Sequence, residues 1–325
     1  MKPLAADVDA VCRRMRAETQ VALIVHEKPD ADALGAAAGM ADLFARLGTP
    51  SSLYVADAEY LPLEELLPAG VTVVRGAPPA GAPLYVLDCG SLARAATQVP
   101  EPPAFVVTVD HHHDNVGFGD LRLVRGEASS TSELVCEVAR GLGLAPSPAA
   151  ATALYAGISF DTGHFRHDST AAATFRTAAW LVDLGVDVTA VYGELYERRS
   201  PAALRLWARG VESAQALAGG RALVAALTRA DYAAAGAGEH ETEGIVESLR
   251  AVDGVEVAAL VKEQSAGPRV RVSLRSSRLD VSAVAALAGG GGHRLAAGFS
   301  SDDPPEEVTA WLSSELARRL STASS

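Results

Sequence analysis

Val21-Ala22-Leu23-Ile24-Val25-His26-Glu27-Lys28-Pro29-Asp30-Ala31-Asp32 holds a strand, a turn and the start of a helix. The apolar run Val21–His26 is short and unbroken, the signature of a strand buried on both faces. Residues Asp32–Leu47 then show helical periodicity and stop at Gly48. Between them, Pro29 disfavours the α conformation at Lys28 and keeps the segment extended. Alternate side chains of an extended segment share a face, so Asp30 and Asp32 point the same way. Two carboxylates held together repel unless a cation lies between them. A polar turn with Asp32 as the helix N-cap accounts for the same residues, and this segment alone does not choose between the two.

Working outward, the pattern repeats. Ser51–Ala56, Val71–Val74, Leu84–Asp88 and Phe105–Asp110 are strand candidates, and Gly76–Pro83 is a loop. Strands alternating with helices imply an α/β fold, here a mainly parallel sheet with helices on both faces. Helices are expected at Ser129–Leu142, Pro146–Phe160 and Ala171–Leu184, and over Thr189–Ala208 with a break at Pro201. A second, smaller α/β set follows. Its strands are Arg221–Leu227, Val255–Lys262 and Val270–Ser276; its helices are Thr242–Val252, Asp280–Leu287 and Pro305–Leu320; Gly289–Gly292 is a loop. The expected organisation is a first domain over 1–188, a helical linker over 189–210 and a second domain over 211–325.

Composition narrows the function. At 325 residues, 49% hydrophobic and 21% charged, the chain can bury a sizeable core without staples. Its net charge of −12 excludes a protein that coats long duplex nucleic acid, which needs Lys and Arg for phosphate contacts. The three cysteines, Cys12, Cys89 and Cys136, are far apart and odd in number, which favours reduced thiols and a cytoplasmic setting. Neither a signal peptide nor an apolar run of membrane-spanning length is evident, so no membrane partner is expected.

Most of the eight histidines lie near aspartates, several at strand ends. Besides His26–Asp32, Asp88 ends an apolar strand before Gly90, and Asp110-His111-His112-His113-Asp114-Asn115 follows another. Asp161-Thr162-Gly163-His164 closes a helix and reads equally as an ordinary C-terminal turn. Ligand sites of open α/β sheets form at the carboxyl ends of strands. A donor set of Asp and His, with Cys89 the one thiol nearby, suits a borderline-hard divalent ion such as Mn²⁺ and argues against a structural zinc. The carboxylates suffice for two ions, and paired ions activate water and clamp a phosphoryl group.

These residues resemble the DHH phosphoesterases. The motif that names the family stands here as Asp110-His111-His112. Its first motif is His26-x-x-Pro29-Asp30-x-Asp32-Ala33-x-Gly35, its second is Asp88, and its fourth is Asp161-Thr162-Gly163. Val272–Ser277 and Gly289-Gly290-Gly291-Gly292-His293-x-x-Ala296-Ala297-Gly298 resemble the family's DHHA1 substrate-binding domain. The resemblance implies that His26, Asp30 and Asp88 hold one metal, while Asp32, Asp88, His111 and Asp161 hold the other, with Asp88 bridging. It makes His112 a donor or acid facing the substrate phosphate and Asp110 the residue that orients a neighbouring histidine. Arg275, Ser276, Gly291, Gly292 and His293 become the substrate-binding set. The expected cofactors are two divalent ions, Mn²⁺ foremost, and a homodimer is an expectation of the same kind.

Domain order and size are similar to the oligoribonuclease and phosphoadenosine-phosphate phosphatase branch, the nanoRNases. The basic residues Arg269, Arg271, Arg275, Arg278 and Arg294 concentrate near the C-terminal glycine run, against Asp280 alone. Guanidinium forks fit phosphate oxygens. With aromatics at 5%, long single strands have few stacking partners, which favours ligands of one to a few nucleotides. The expected reaction is attack of a hydroxide, generated between two metals, on a phosphodiester or terminal phosphomonoester. Expected substrates are oligoribonucleotides of two to about five units, pApA, cyclic di-AMP and 3′-phosphoadenosine 5′-phosphate. The alternatives are a catalytically inactive nucleotide-binding sensor and a pyrophosphatase-like hydrolase.

Overall fold

The computed structural model describes residues 4–56, 67–100 and 104–322, which form two compact units, Met1–Glu197 and Arg198–Ser325. In the first, α1 (Leu4–Ala17) precedes β1 (Val21–Ile24), α2 (Ala31–Leu47), β2 (Ser51–Val55), β3 (Thr72–Arg75), β4 (Leu84–Leu87), β5 (Val106–Asp110) and β6 (Leu121–Val124). The helices α3 (Thr131–Leu142), α4 (Pro148–Asp161), α5 (Ala172–Asp183) and α6 (Val188–Tyr196) follow. All six strands are parallel, in the order β3-β2-β1-β4-β5-β6. The chain therefore reverses its direction of travel across the sheet between β1 and β4, where such sheets open a crevice for ligands.

The sheet is buried on both faces, but its two sides differ. Val21, Leu23, Leu53, Val55, Tyr85, Leu87, Val107 and Val109 pack with α1–α6 in one large core. On the other face, Ala22, Ile24, Tyr54, Leu84, Val86 and Val106 are covered, among the described residues, by loop residues and a 3-10 turn at Leu92–Arg94. Among the described residues, the flanking α-helices lie on one face. The β3–β4 and β5–β6 connections run as loops, and four of the helices follow the last strand.

Asp30 starts α2, its carboxylate accepting from the backbone N–H groups of Asp32 and Ala33 at 3.0 and 3.1 Å. The N-cap is thus Asp30 rather than Asp32. Left-handed Gly48 ends the helix. α2 and α4 approach closely because glycine removes side chains at their contact. A Cβ on Gly157 would meet Ser132 Oγ and lie 2.8 Å from Asp32 Oδ1.

The second unit runs α7 (Pro201–Glu212), β7 (Gln215–Leu217), β8 (Ala222–Leu227), α8 (Arg229–Ala235), α9 (Ile245–Arg250), β9 (Val257–Glu263), β10 (Val270–Ser276), α10 (Ser282–Ala285), β11 (Gly291–His293), β12 (Ala296–Ser301) and α11 (Pro305–Thr322). Its sheet has the order β11-β12-β10-β9-β8-β7 and is antiparallel apart from the β8–β9 pair. α10 and α11 cover one face, and α7, α8 and α9 cover part of the other. Residues 189–210 contain the body of α6, a turn, and the start of α7 at Pro201, where proline suits the first helical turn. The glycine run is not wholly a loop: Gly291 and Gly292 belong to the edge strand β11. No helix among the described residues is long and apolar enough to cross a membrane.

Candidate metal centre

The carboxyl ends of β1, β4 and β5 lie side by side, and their next residues converge. His26 follows β1 and is fixed by its Nδ1 contact with Glu27 O at 2.7 Å. Asp88 follows β4 with φ of +54°, a left-handed conformation that a non-glycine residue adopts only when its surroundings hold it. Here the Asp88 N–H is held by Val109 O at 3.0 Å and the carboxylate by the hydroxyl of Thr131, which donates to Oδ1 at 2.8 Å. The two Asp88 oxygens face different neighbours. Oδ2 lies 3.6 Å from His26 Nε2, and Oδ1 lies 3.6 Å from both His111 Nε2 and His112 Nδ1.

Two groups of donors meet at that carboxylate. His26, Asp30 and Asp88 form one, and Asp32, His111 and Asp161 the other, with donor atoms within 4.8 Å of one another in each. Asp88, His111 and His112 form a third, overlapping group, so His112 also stands within ligand reach. His111 Nε2 contacts Asp161 Oδ2 at 2.8 Å and lies 4.0 Å from Asp32 Oδ2. His26 Nε2 lies 3.9 Å from Asp30 Oδ1. Most of these separations exceed a hydrogen bond. They match donors placed around one small cation at about 2.0–2.2 Å, which stand roughly 3–4.4 Å apart.

The electrostatics agree. Burial, with the charges of Asp88 and Asp161 added, pushes Asp32 well above the usual carboxylate range. Burial also raises Asp161, against the opposing pull of His111. Burial would raise Asp88 too, but its three imidazole neighbours outweigh that and hold it below the usual range. Burial alone would lower His26, yet Asp30 and Asp88 raise it to about 11. His111 is raised to about 10 by Asp161, Asp32 and Asp88, again against burial. A buried nest of carboxylates that draws protons onto its imidazoles lacks positive charge, and its oxygen and nitrogen donors fit a divalent ion.

All six expected ligands therefore come together, with His112 and Asp110 beside them. Asp110 is fully buried and accepts from His112 at Nδ1 (2.7 Å) and from the Asn115 side-chain amide (2.6 Å). Three supporting residues were not singled out from the sequence. Thr131 and Ser132 donate their backbone N–H groups to the two Asp32 oxygens at 2.7 and 2.9 Å, so the start of α3 orients a carboxylate some 100 residues earlier in the chain. Asn115 is the third. The sequence places the start of this helix at Ser129, but nothing there points to its target.

The remaining expected residues lie in the second unit. Arg271, Ser273 and Arg275 alternate on one face of β10, and the Arg275 Nε pairs with Glu247 Oε1 at 2.9 Å. Ser276 does not share that face. It is buried, and its hydroxyl accepts from Arg278 N at 3.1 Å. The backbone register aligns His293, Ala296 and Arg275 in one cross-strand row, and Gly291, Gly298 and Ser273 in the next; the His293 side chain lies outside the described residues. Gly292 serves strand packing, since a Cβ there would lie 2.7 Å from Ala296 O, whereas Gly291 opens on free space.

Residues 20–158 match the DHH family N-terminal domain, and residues 218–321 match the DHHA1 domain. The chain is 33% identical over 263 residues to the bifunctional oligoribonuclease and PAP phosphatase NrnA of Thermus thermophilus, covering 80% of this chain and 76% of that protein. It is 31% identical to a probable NrnA of Streptococcus mutans, over 85% of this chain and 87% of that one. In fold, it superposes on an exopolyphosphatase-related protein from Bacteroides fragilis with a TM-score of 0.84 at 20% identity, covering 97% and 98% of the two chains. RecJ from Thermus thermophilus in complex with Mn²⁺ gives a TM-score of 0.56 at 14% identity, over 99% of this chain and 55% of that one. With the motifs, the strand-end cluster and these relatives in agreement, the chain belongs to the DHH family of phosphoesterases and carries a DHHA1 domain.

Proposed function

We propose that this phosphoesterase hydrolyses short oligoribonucleotides and small nucleotides, pApA and 3′-phosphoadenosine 5′-phosphate among them, with two divalent ions, Mn²⁺ foremost. The observation that carries the two-ion reading is the divided Asp88 carboxylate, with one oxygen toward His26 and the other toward His111. His26, Asp30 and Asp88 would hold one ion; Asp32, Asp88, His111 and Asp161 the other. Bound ions lower the pKa of a water nucleophile and draw charge from the phosphoryl group.

The chain's own groups do the rest. Asp110 fixes the His112 ring through Nδ1 and, against the opposing effect of burial, raises its pKa. A cationic imidazole held there is suited to donate to a phosphate or leaving oxygen. Thr131 and Ser132 keep Asp88 and Asp32 oriented. Arg275, Gly291, Gly292 and His293 are assigned to substrate binding, with Ser276 shaping the turn after β10. The reading of the NrnA relatives extends to this chain because the shared identity spans most of both partners. A cytoplasmic location fits the three free, buried thiols, and a homodimer fits the family.

The test is Mn²⁺-dependent hydrolysis of pApA, a five-nucleotide RNA, cyclic di-AMP and 3′-phosphoadenosine 5′-phosphate, with products separated by chromatography. Release of mononucleotides from the linear substrates is expected. Silence on all four, with metal demonstrably bound, would refute the proposal.

A further inference from the structure

Beyond Asp161 the backbone passes through three successive left-handed residues, Gly163, His164 and Phe165, with φ of 55°, 61° and 61°. Glycine adopts this region freely; histidine and phenylalanine are held there against a steric penalty, a form of strain that clusters at ligand sites. Ser159 O accepts from His164 N at 2.7 Å, and Thr162 Oγ1 accepts from Phe165 N at 3.0 Å. Thr162 O accepts from Arg166 N and His167 N, both at 3.0 Å.

The two rings of the strained turn touch, with centroids 5.9 Å apart, but differ in their other neighbours. Phe165 is half-buried, beside Tyr155 and stacked on Phe175 at a centroid distance of 5.4 Å. His164 is exposed and meets the Tyr192 ring edge-on at a centroid distance of 4.8 Å. Tyr196 backs both rings, at 5.8 Å from His164 and 5.1 Å from Tyr192. Its hydroxyl donates to Ser159 O at 2.8 Å, which ties the group to the helix end that carries Asp161. Tyr192 itself is 36% exposed. His164 and Tyr192 are both exposed, and Tyr196 packs against each of them. His164 is three positions after Asp161, so their Cα atoms are at most about 11 Å apart.

We propose that His164 and Tyr192 form a stacking step for a nucleobase of the substrate whose phosphate occupies the Asp/His centre. The proposal rests on the phosphoesterase reading above and adds base recognition to it. An aromatic step accepts any base, because every base presents a π-face. It therefore selects nucleotides over base-free phosphate esters without selecting a sequence.

The test uses His164→Asn, in which asparagine tolerates the left-handed backbone while the ring is lost, together with Tyr192→Leu and the ring-preserving Tyr192→Phe. Each full-length variant is assayed with Mn²⁺ on a dinucleotide and on the same dinucleotide lacking both bases. The wild-type preference for the normal over the abasic substrate, measured as kcat/KM, should fall about ten-fold in His164→Asn and Tyr192→Leu and recover in Tyr192→Phe. A dinucleotide carrying 2-aminopurine should lose fluorescence on binding the wild type and keep it with Tyr192→Leu. Equal losses on both substrates, or no loss on either, would overturn the proposal. If the wild type hydrolyses neither substrate, the phosphoesterase reading has failed, and absence of 2-aminopurine quenching then overturns the stacking step separately.

Discussion

Replacing Gly157 with alanine sets two effects of opposite sign against each other. In an unobstructed helix interior, alanine in place of glycine gains about 0.5–1 kcal/mol from propensity and unfolded-state entropy. At residue 157 the added Cβ would crowd Ser132 Oγ, Asp32 Oδ1 at 2.8 Å and Asp32 Cα at 3.0 Å. None of these groups can yield easily, because Asp32 is fully buried and bonded to the N–H groups of Thr131 and Ser132. Overpacking of this kind costs about 1–3 kcal/mol. Crowding therefore outweighs the gain, with a net loss of up to about 2.5 kcal/mol, equivalent to a fall of up to about 10 °C in Tm for a unit of this size. Because the displaced group is a carboxylate of the metal centre, Mn²⁺ affinity should fall as well. Gly193, in the interior of α6, is the matched control, since a Cβ there would meet nothing within 4 Å. Differential scanning calorimetry and Mn²⁺ titration of the two variants decide the matter. Gly157→Ala should lower Tm and metal affinity, while Gly193→Ala should raise Tm slightly. A Tm for Gly157→Ala equal to or above wild type would refute the argument from close approach.

Asp88→Asn keeps the shape of the bridging group and removes its charge; turnover should drop at least a hundred-fold, and near-normal Mn²⁺-dependent activity would refute the two-ion assignment. Thr131→Val removes the hydroxyl that donates to Asp88 Oδ1, and Mn²⁺ affinity should weaken about ten-fold or more, as when a ligand loses its supporting hydrogen bond; isothermal titration reads it. Burial raises the pKa of all three thiols, Cys89 to about 11, so the reactive thiolate is scarce at pH 8. A chromogenic disulfide should accordingly find no fast-reacting thiol in the native protein and three after unfolding, and a fast thiol in the native state would contradict the burial.

The strands that carry the centre were legible because the parallel sheet buries them on both faces and so writes them as unbroken apolar runs, each ending in Asp or His. Helices α2 to α7 were legible from their caps and periodicity. The elements that escaped are physically different. β12 is Ala-Ala-Gly-Phe-Ser-Ser and β11 is Gly-Gly-His; small residues pair there because the sheet accommodates them, not because they favour strands. β7 is three residues long and largely exposed, and β6 is a short edge strand. α1 was legible in principle, with Val8, Val11, Cys12 and Met15 buried along one stripe, but its polar face masked the pattern. In the candidate site, the Asp and His residues were legible together, through residue type and their places at the ends of strands and of a helix. The supports Thr131, Ser132 and Asn115 were not, since serine, threonine and asparagine are common at helix starts and turns, and their targets are set by tertiary proximity.

Parallel order has a temporal consequence during synthesis. His26 and Asp161 are 135 residues apart, so at about 5–20 residues per second the ribosome needs roughly 7–27 s between making the first donor and the last. Throughout that interval the β1 turn exposes carboxylates that α3 and α4 have not yet arrived to orient. The second proposed ion site, which needs Asp161, is thus one of the last parts of the first unit to form. A stalled nascent chain ending before residue 129 should retain less Mn²⁺ in a pull-down from metal-supplemented translation than one extended well past residue 197.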